Sequence, residues 1–303
     1  MSGGGLQDRP LRGILCMIAA FTCVGVTDAL SKAGIESMAT AQMLMIRSLM
    51  VLVLLTPLIL REGGLAVFRT RNPRDNATRI AFSLLSMFCF FEALRHLELA
   101  TAIAIGFVAP LIMTALSVPM LGERVGLHRW SAIVVGFIGA LVILRPGGDG
   151  FQPAALLCLL AAAAWAASMV YVRRLAKTES EVTMMALQNA AVMCVMGAIS
   201  LFVWRDLAVR DLVLTSGMAL TLVTGQWFMF RAFRYAPVGL IAPFQYLELL
   251  WATLFGWLIW NEFPDRPVWI GAAILIASGL YVIWRERVRA AEAAGARAAS
   301  GSE

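Results

Sequence analysis

The sequence predicts an all-α polytopic membrane protein of ten transmembrane helices, folded as two inverted five-helix repeats. Three observations predict it: a composition too apolar for water, ten apolar runs of spanning length, and an internal similarity that relates the first five runs to the last five. Of 303 residues, 60% are hydrophobic and 15% charged, whereas soluble domains carry about 25% charged residues. The solvent for such a chain is lipid. Crossing the hydrocarbon takes about 20 apolar residues, so ten crossings with short connections use nearly the whole chain and leave no room for a soluble catalytic domain.

The runs lie near 12–32, 40–60, 79–95, 99–121 and 129–145, then 154–173, 182–204, 212–233, 238–260 and 267–285. Helices suit them because irregular backbone facing lipid leaves N–H and C=O groups unpaired. The expected organisation is an N-terminal segment over 1–11, a first repeat over 12–147, a second over 148–285, and a tail over 286–303. That tail mixes charge with alanine, shows no sustained apolar face, and reads as a short frayed extension. The first run follows Arg9 and Arg12 as a secretory leader would. It is too long for a leader, carries Asp28 and Lys32, and lacks a small-x-small cleavage site, so a retained helix is expected.

The net charge of +6 comes from basic residues between apolar runs rather than from an exposed stripe, which argues against a nucleic-acid partner. Lys and Arg gather on the cytoplasmic side of membrane proteins. With the N-terminus inside, Arg61, Arg69, Arg71, Arg74, Arg79, Arg173 and Arg174 fall on the inner side, while Lys32, Arg95, Arg145, Arg205, Arg210 and Arg266 form the smaller outer set. Both termini are therefore expected in the cytoplasm. Cys16, Cys23, Cys89, Cys158 and Cys194 all lie in apolar runs without CxxC spacing. No disulfide framework or metal site is expected from them, and they read as packing residues.

Shifting the sequence so that Ala93 meets Ala232 aligns FFEALRH at 90–96 with MFRAFRY at 229–235. The same register pairs Leu111 with Leu250, Thr114 with Thr253, Glu123 with Glu262, Trp130 with Trp269 and Leu141 with Leu280. A slightly longer shift places LCMIAA at 15–20 over LCLLAA at 157–162. Five crossings per copy is an odd number, so the second copy enters the membrane from the opposite side. Inverted repeats with a shared midplane site are a recurrent plan of secondary transporters, because near-equivalent halves can exchange inward-open and outward-open states.

These residues carry a family resemblance. The stretch ALRHLELATAIAIGFVAPLIMTALSVPMLGERVGLHRWSAIVVGFIGALVILRPG at 93–147, its echo AFRYAPVGLIAPFQYLELLWATLFGWLIWNEFPDRPVWIGAAILIASGL at 232–280, and the arginine in QMLMIRSLM at 42–50 resemble the EamA family of the drug/metabolite transporter superfamily. TDALSKAG at 27–34 is similar to a subgroup containing S-adenosylmethionine uptake carriers and related bacterial metabolite exporters. The resemblance implies a central cavity between the halves, alternating access, and residence in a bacterial inner membrane. It leaves the substrate open among amino acids, nucleoside-like compounds, vitamins and amino-acid-derived metallophores.

An ionisable group within a span is costly and by default marks function. Glu248 lies mid-run, on one helical face with Gln245 and Ala252. Its repeat counterpart is Ala109, so the carboxylate is an asymmetric addition. It would bind a substrate amine or exchange a proton, and the competing reading is a structural hydrogen bond to a neighbouring helix. Arg47 could grip a substrate carboxylate in a bidentate contact, against a snorkelling or carbonyl-bound structural role. Asp28 and Lys32, spaced i, i+4, are expected to pair with one another, with a gate as the alternative. Gln188, Asn189 and Gln226, with Trp165, Tyr171, Trp227 and Tyr246, could line a mixed polar and aromatic cavity. The alternative casts the amides as interhelical glue and the rings as an interfacial belt. Glu92 reads as structural, Glu123 and Glu262 as helix-end caps or loop ion pairs, and Pro110 and Pro243 as kinks or hinges.

ATP-driven pumping is unsupported, because the sequence has no GxxxxGK[ST] loop, and GGDG at 147–150 lacks the lysine. Catalysis is unsupported too: HExxH and GxSxG are absent, and His96 and His128 lie in separate loops. The expected function is gradient-driven export of a small polar amino-acid-like metabolite or amino-acid-derived metallophore, with proton antiport as the expected coupling. Uptake of a vitamin or nucleoside-like compound, such as riboflavin or S-adenosylmethionine, is the alternative. No cofactor is called for, the lipid bilayer and a small molecule are the expected partners, and a homodimer is left open.

Overall fold

The computed structural model describes residues 10–121, 127–146, 152–176, 178–236 and 238–300. Among them, helices follow one another as α1 (Pro10–Ser37), α2 (Thr40–Arg61), α3 (Pro73–Ala93), α4 (Leu99–Gly106), α5 (Ala109–Leu121), α6 (Leu127–Leu144), α7 (Ala154–Leu175), α8 (Glu181–Ser200), α9 (Val209–Tyr235), α10 (Val238–Ile241), α11 (Leu247–Trp260) and α12 (Arg266–Ser300). Short 3-10 turns occupy Gly64–Phe68 and Ala242–Tyr246. Two crossings are broken in the middle: α4 and α5 form one, and α10, the second turn and α11 form the other. Ten passes result, seven of them long and apolar enough to span by a single measure of length and composition.

Local chemistry sets the ends. Pro73 opens α3 at a first-turn position where its missing N–H costs nothing. Ser180 caps α8 by accepting from the Thr183 amide at 3.1 Å. Asn261 stops α11 in the left-handed region at φ 54°, which a short amide side chain tolerates. The expected start of the third helix at 79 was late by nearly two turns, so Arg79 is a buried helical residue rather than a loop charge. The tail also differs from expectation: α12 runs on to Ser300, because an alanine-rich segment is an intrinsically strong helix former even without an apolar face.

The repeat is visible in packing. α1 packs along α9 and α3 along α7, and exchanging the two five-helix units converts the first pairing into the second. α2 with α8, and α6 with α12, each map onto themselves. The register found in the sequence also holds atom by atom. Ser278 Oγ donates to the Ala132 carbonyl at 2.5 Å, while Gly139 and Gly271 approach so closely that a Cβ on Gly271 would lie 2.5 Å from the Gly139 carbonyl oxygen. Shifting Ala132 and Ser278 by the repeat offset gives Gly271 and Gly139, so each contact is the image of the other. Only residues this small allow such backbone approach in lipid, where packing rather than water exclusion holds helices together.

The breaks in the fourth and ninth crossings obey the same symmetry. The turn after α4 falls at Phe107 and Val108, and the junction into α11 falls at Tyr246 and Leu247, which are repeat-equivalent positions. Phe107 and Tyr246 meet edge-to-face at 5.1 Å between ring centroids, so equivalent residues touch where the two halves cross. Pro110 is the second residue of α5, just past the first break, and Pro243 sits within the second 3-10 turn, each where its lost N–H leaves no helical bond to break.

The end of the bundle at Ser37 and Thr40 is tied by polar contacts. Arg95 donates to the carbonyls of Ile35 at 2.8 Å and Met38 at 2.9 Å, and lies 3.2 Å from Glu92. Gln42 brackets the Arg205 backbone, donating to its carbonyl at 2.7 Å. Glu92 thus has a structural partner. The opposite end is tied through Glu179, which accepts from Thr70 Oγ at 2.7 Å and the Arg71 amide at 2.8 Å. All five cysteines are free, with Cys89 and Cys158 buried and Cys194 on the outer surface.

Candidate functional site

Between the two repeats, α1 runs beside α11, and Gly25 makes this possible: a Cβ there would come within 2.5 Å of Trp251 Cβ. One turn along each helix from this contact stand Asp28 and Glu248, whose carboxyl groups face each other. Glu248 lies in the first turn of α11, where the positive end of the helix dipole favours an anion. The break at Ala242–Tyr246 puts that helix start inside the bundle.

The third member is Arg47, which extends from α2 toward Asp28. It is 4% exposed. Its guanidinium sits 5.6 Å from the Phe91 ring and its Nη2 lies 4.0 Å from Met87 Sδ, both soft contacts that leave donors unspent. Asp28 Oδ2, Arg47 Nε, Ser48 Oγ and Trp251 Nε1 are all buried without a hydrogen-bond partner among the described residues. Buried polar groups are almost always paired, so the unspent atoms of Asp28 and Arg47 leave hydrogen-bonding capacity in the charged cluster.

Lys32 does not pair with Asp28, contrary to the expectation from their i, i+4 spacing. It forms an ion pair with Glu262 and donates to the Leu97 carbonyl at 3.2 Å. Glu262 also accepts from the Leu99 amide at 3.3 Å. The reason is tertiary: the end of α11 delivers a carboxylate and the α3–α4 connection delivers a carbonyl to Lys32, while Asp28 turns toward Arg47 and Glu248. Glu262 accordingly takes the ion-pair role expected of it, but with a helical lysine rather than a loop residue. Glu123 and the His128 side chain lie outside the described residues.

The ion pair lines a cavity of about 490 Å³ at the Ser37 end, together with Glu36, Arg95, His96 and Glu98. Burial raises the Glu98 carboxyl above its ordinary range, and the nearby Glu262 and Asp265 push the same way. Asp28 lies one helical turn beneath Lys32, so this vestibule stands directly over the charged cluster.

The remaining candidates are distributed elsewhere. Gln245 lies beside the Tyr246 hydroxyl, and that ring turns to α12, occupying the space a side chain on Gly279 would need. Gln226 adjoins Gly225, which packs on Cys23, placing it more than a turn from Asp28 toward the N-terminal end. Its Oε1 is buried and unpartnered. Gln188 accepts from Arg79 Nη1 at 3.2 Å, and Asn189 donates to the Met185 carbonyl at 2.9 Å within its own helix. Trp165 and Trp227 face outward, 47% and 48% exposed, and Arg231 stacks on Trp227 at 3.9 Å. Tyr171 stacks on Phe82.

The sequence reading missed Trp251 beside Gly25, Phe91 against Arg47, and Arg79 as a buried residue bridging α3 to α8. Trp251 was findable, three residues from Glu248 and so on the same helical face. Phe91 and Arg79 carry no local signal, since their partners Arg47, Gln188 and Met184 come from helices distant in sequence.

An EamA-like transporter model matches residues 11–145 and 152–285, one match per repeat. The chain belongs to the EamA-like transporter family. It is therefore a multi-pass membrane transporter and not an enzyme. Among its relatives, a riboflavin transporter of Rhizobium johnstonii is 32% identical over 76% of each chain. An S-adenosylmethionine uptake transporter of Rickettsia prowazekii is 26% identical over 91% of this chain and 94% of its own. The pseudopaline exporter CntI of Pseudomonas aeruginosa is 27% identical over 89% and 92%. A solved crystal structure superposes with a TM-score of 0.62 at 18% identity, covering 91% of this EamA-like chain and 97% of its own, which establishes a shared fold.

Proposed function

We propose that this EamA-like protein is a secondary active transporter that exports a small amino-acid-like metabolite or amino-acid-derived metallophore across the bacterial inner membrane, with both termini in the cytoplasm. The observation that carries the reading is the Asp28, Glu248 and Arg47 cluster, which offers carboxylates and a guanidinium in one buried space. A group bearing both an ammonium and a carboxylate satisfies it: the ammonium between Asp28 and Glu248, the carboxylate on Arg47 through charge-assisted hydrogen bonds. A neutral cargo leaves these charges unanswered. The orientation rests on the excess of Lys and Arg on the N-terminal side.

Uptake is the second reading, favoured by the riboflavin and S-adenosylmethionine relatives. An S-adenosylmethionine-like cargo keeps the amino-acid group that the cluster suits, while its aromatic base would need a stacking partner such as Trp251 or Phe91. Comparing metabolites in medium and cells with and without the protein tests both. An amino-acid-like compound that accumulates inside when the protein is missing supports export, and one lost from cells supports uptake. A difference that persists unchanged with Glu248→Gln overturns the assigned site.

A further inference from the structure

Among the described residues two arginines are buried, Arg47 at 4% and Arg79 at 5% exposure. Arg47 has the Asp28 carboxylate beside it. Arg79, in the second turn of α3, reaches across to α8 and meets only neutral acceptors. Its Nε donates to Asn76 Oδ1 at 3.3 Å, Nη1 to Gln188 Oε1 at 3.2 Å and Nη2 to the Met184 carbonyl at 3.0 Å. The acids at that end of the bundle are committed elsewhere or exposed. Asp75 pairs with Arg174 at 3.3 Å, Glu179 accepts from Thr70 and from the Arg71 and Asn72 amides, Glu62 accepts from Ser180, and Glu181 is exposed. A guanidinium carries five N–H donors, so these bonds leave one N–H over on each Nη. Gln188 adds to the excess, because its Nε2 is buried with no partner among the described residues. A buried cation answered by neutral dipoles alone is expensive, and so is a donor without an acceptor. An oxyanion answers both.

We propose that Arg79 and Gln188 form a second anion subsite, which takes the carboxylate of the cargo at the Glu179 end before Arg47 takes it nearer the Ser37 end. This rests on the transport reading and adds a first point of contact for cargo that enters from the cytoplasm. The carboxylate accepts the spare N–H groups of the guanidinium and of the Gln188 amide, as charge-assisted bonds. The Arg79 backbone is held from α7, where Ser168 donates to its carbonyl at 3.2 Å, so the site is anchored on two neighbouring helices. Met87, which Arg47 touches, stands two turns beyond Arg79, or about 12 Å along α3. One carboxylate therefore meets the two arginines in turn. The Arg79 subsite reads the acid group alone, and the amino group is read only where Asp28 and Glu248 stand.

Nuclear magnetic resonance of the purified, delipidated full-length protein, isotope-labelled at its arginine side chains, tests the proposal with acetate as the probe. The Arg79 Nε signal is identified by its loss in Arg79→Lys. Acetate exchanged for chloride at constant ionic strength is expected to shift that signal saturably. Gln188→Glu sets a carboxylate beside the guanidinium, so the signal starts shifted and acetate adds nothing. Gln188→Leu weakens acetate about tenfold, the worth of one hydrogen bond to a charged acceptor. Gln188→Asn keeps the amide, weakens acetate less, and serves where the other variants fail to fold. Once the metabolite comparison has named the exported compound, Gln188→Glu is expected to raise its half-saturating concentration from the Glu179 side about tenfold. A signal that ignores acetate, that still responds in Gln188→Glu, or that shifts with phosphatidylglycerol and not with acetate overturns the proposal, as does an unchanged half-saturating concentration. The titration contains no cargo. A silent Arg79 therefore leaves the transport reading standing, whereas a responsive Arg79 in a protein whose removal changes no metabolite sinks that reading and leaves the anion site in place.

Discussion

Two charged clusters lie one turn apart on α1, and they have opposite characters. Lys32 is fully engaged, by Glu262, by the Leu97 carbonyl and by the Trp260 ring at 5.1 Å. Asp28, with Glu248 and Arg47, keeps buried polar atoms without partners. Both clusters join the first repeat to the second, so position alone does not distinguish them. The completeness of their hydrogen bonding does. A satisfied pair fixes a geometry and closes the bundle at the Ser37 end, whereas an unsatisfied cluster keeps binding capacity in reserve.

The comparison can be broken at the lower cluster first. Glu248→Gln or Asp28→Asn is expected to lower cargo flux in vesicles by at least about tenfold, the effect of losing ~1.4 kcal/mol of binding, while the melting temperature stays near wild type. A variant that loses stability instead of flux would make the lower cluster structural like the upper one. Lys32→Met should behave in the reverse sense. It strands Glu262 beside the Leu99 amide and costs about 1–3 kcal/mol in denaturant unfolding, and Lys32→Met with Glu262→Gln recovers part of the loss. Equal loss in single and double variants would show that the pair is not coupled.

A smaller effect sharpens the boundary between the clusters. Gly25→Ala presses a methyl into Trp251 Cβ and pushes α1 from α11, at a cost of about 1–3 kcal/mol. Because this contact lies on the Asp28 side, flux should fall with it while the Lys32 pair is spared. A crosslink between positions 32 and 262 that forms as readily as in the wild type would check that. Least affected are Trp165→Ala and Trp227→Ala, which touch neither cluster. Less than about twofold change in flux and within about 0.5 kcal/mol in stability are expected. A large loss at either would place the transport path on a different face.

The contrast also marks how far the sequence could be read. Glu248 and Arg47 announce themselves because ionisable residues inside apolar runs are expensive. Asp28 and Lys32 announce themselves equally, yet their spacing suggested a pair that does not form. Helical periodicity says which side chains share a face, but it does not say which carboxylate another helix will bring nearer. The amides at Gln188, Asn189 and Gln226 were visible as polar residues in apolar helices. Their separation from the cluster depends on how α8 and α9 slide along their neighbours.

By itself the sequence determined the solvent of the protein, its crossings and its duplication, since each follows from apolar length or from a fixed offset between similar segments. It determined the inverted relation as well, because five crossings cannot return a chain to its starting side. Tertiary structure alone decided the partners of the buried charges. Small residues at Gly25, Gly139 and Gly271 let helices meet at backbone distance, and that approach determined which distant side chains could touch. Lys32 went to Glu262 and Asp28 to Arg47 because a buried charge takes the nearest compensating group in space, however far away it lies in the chain.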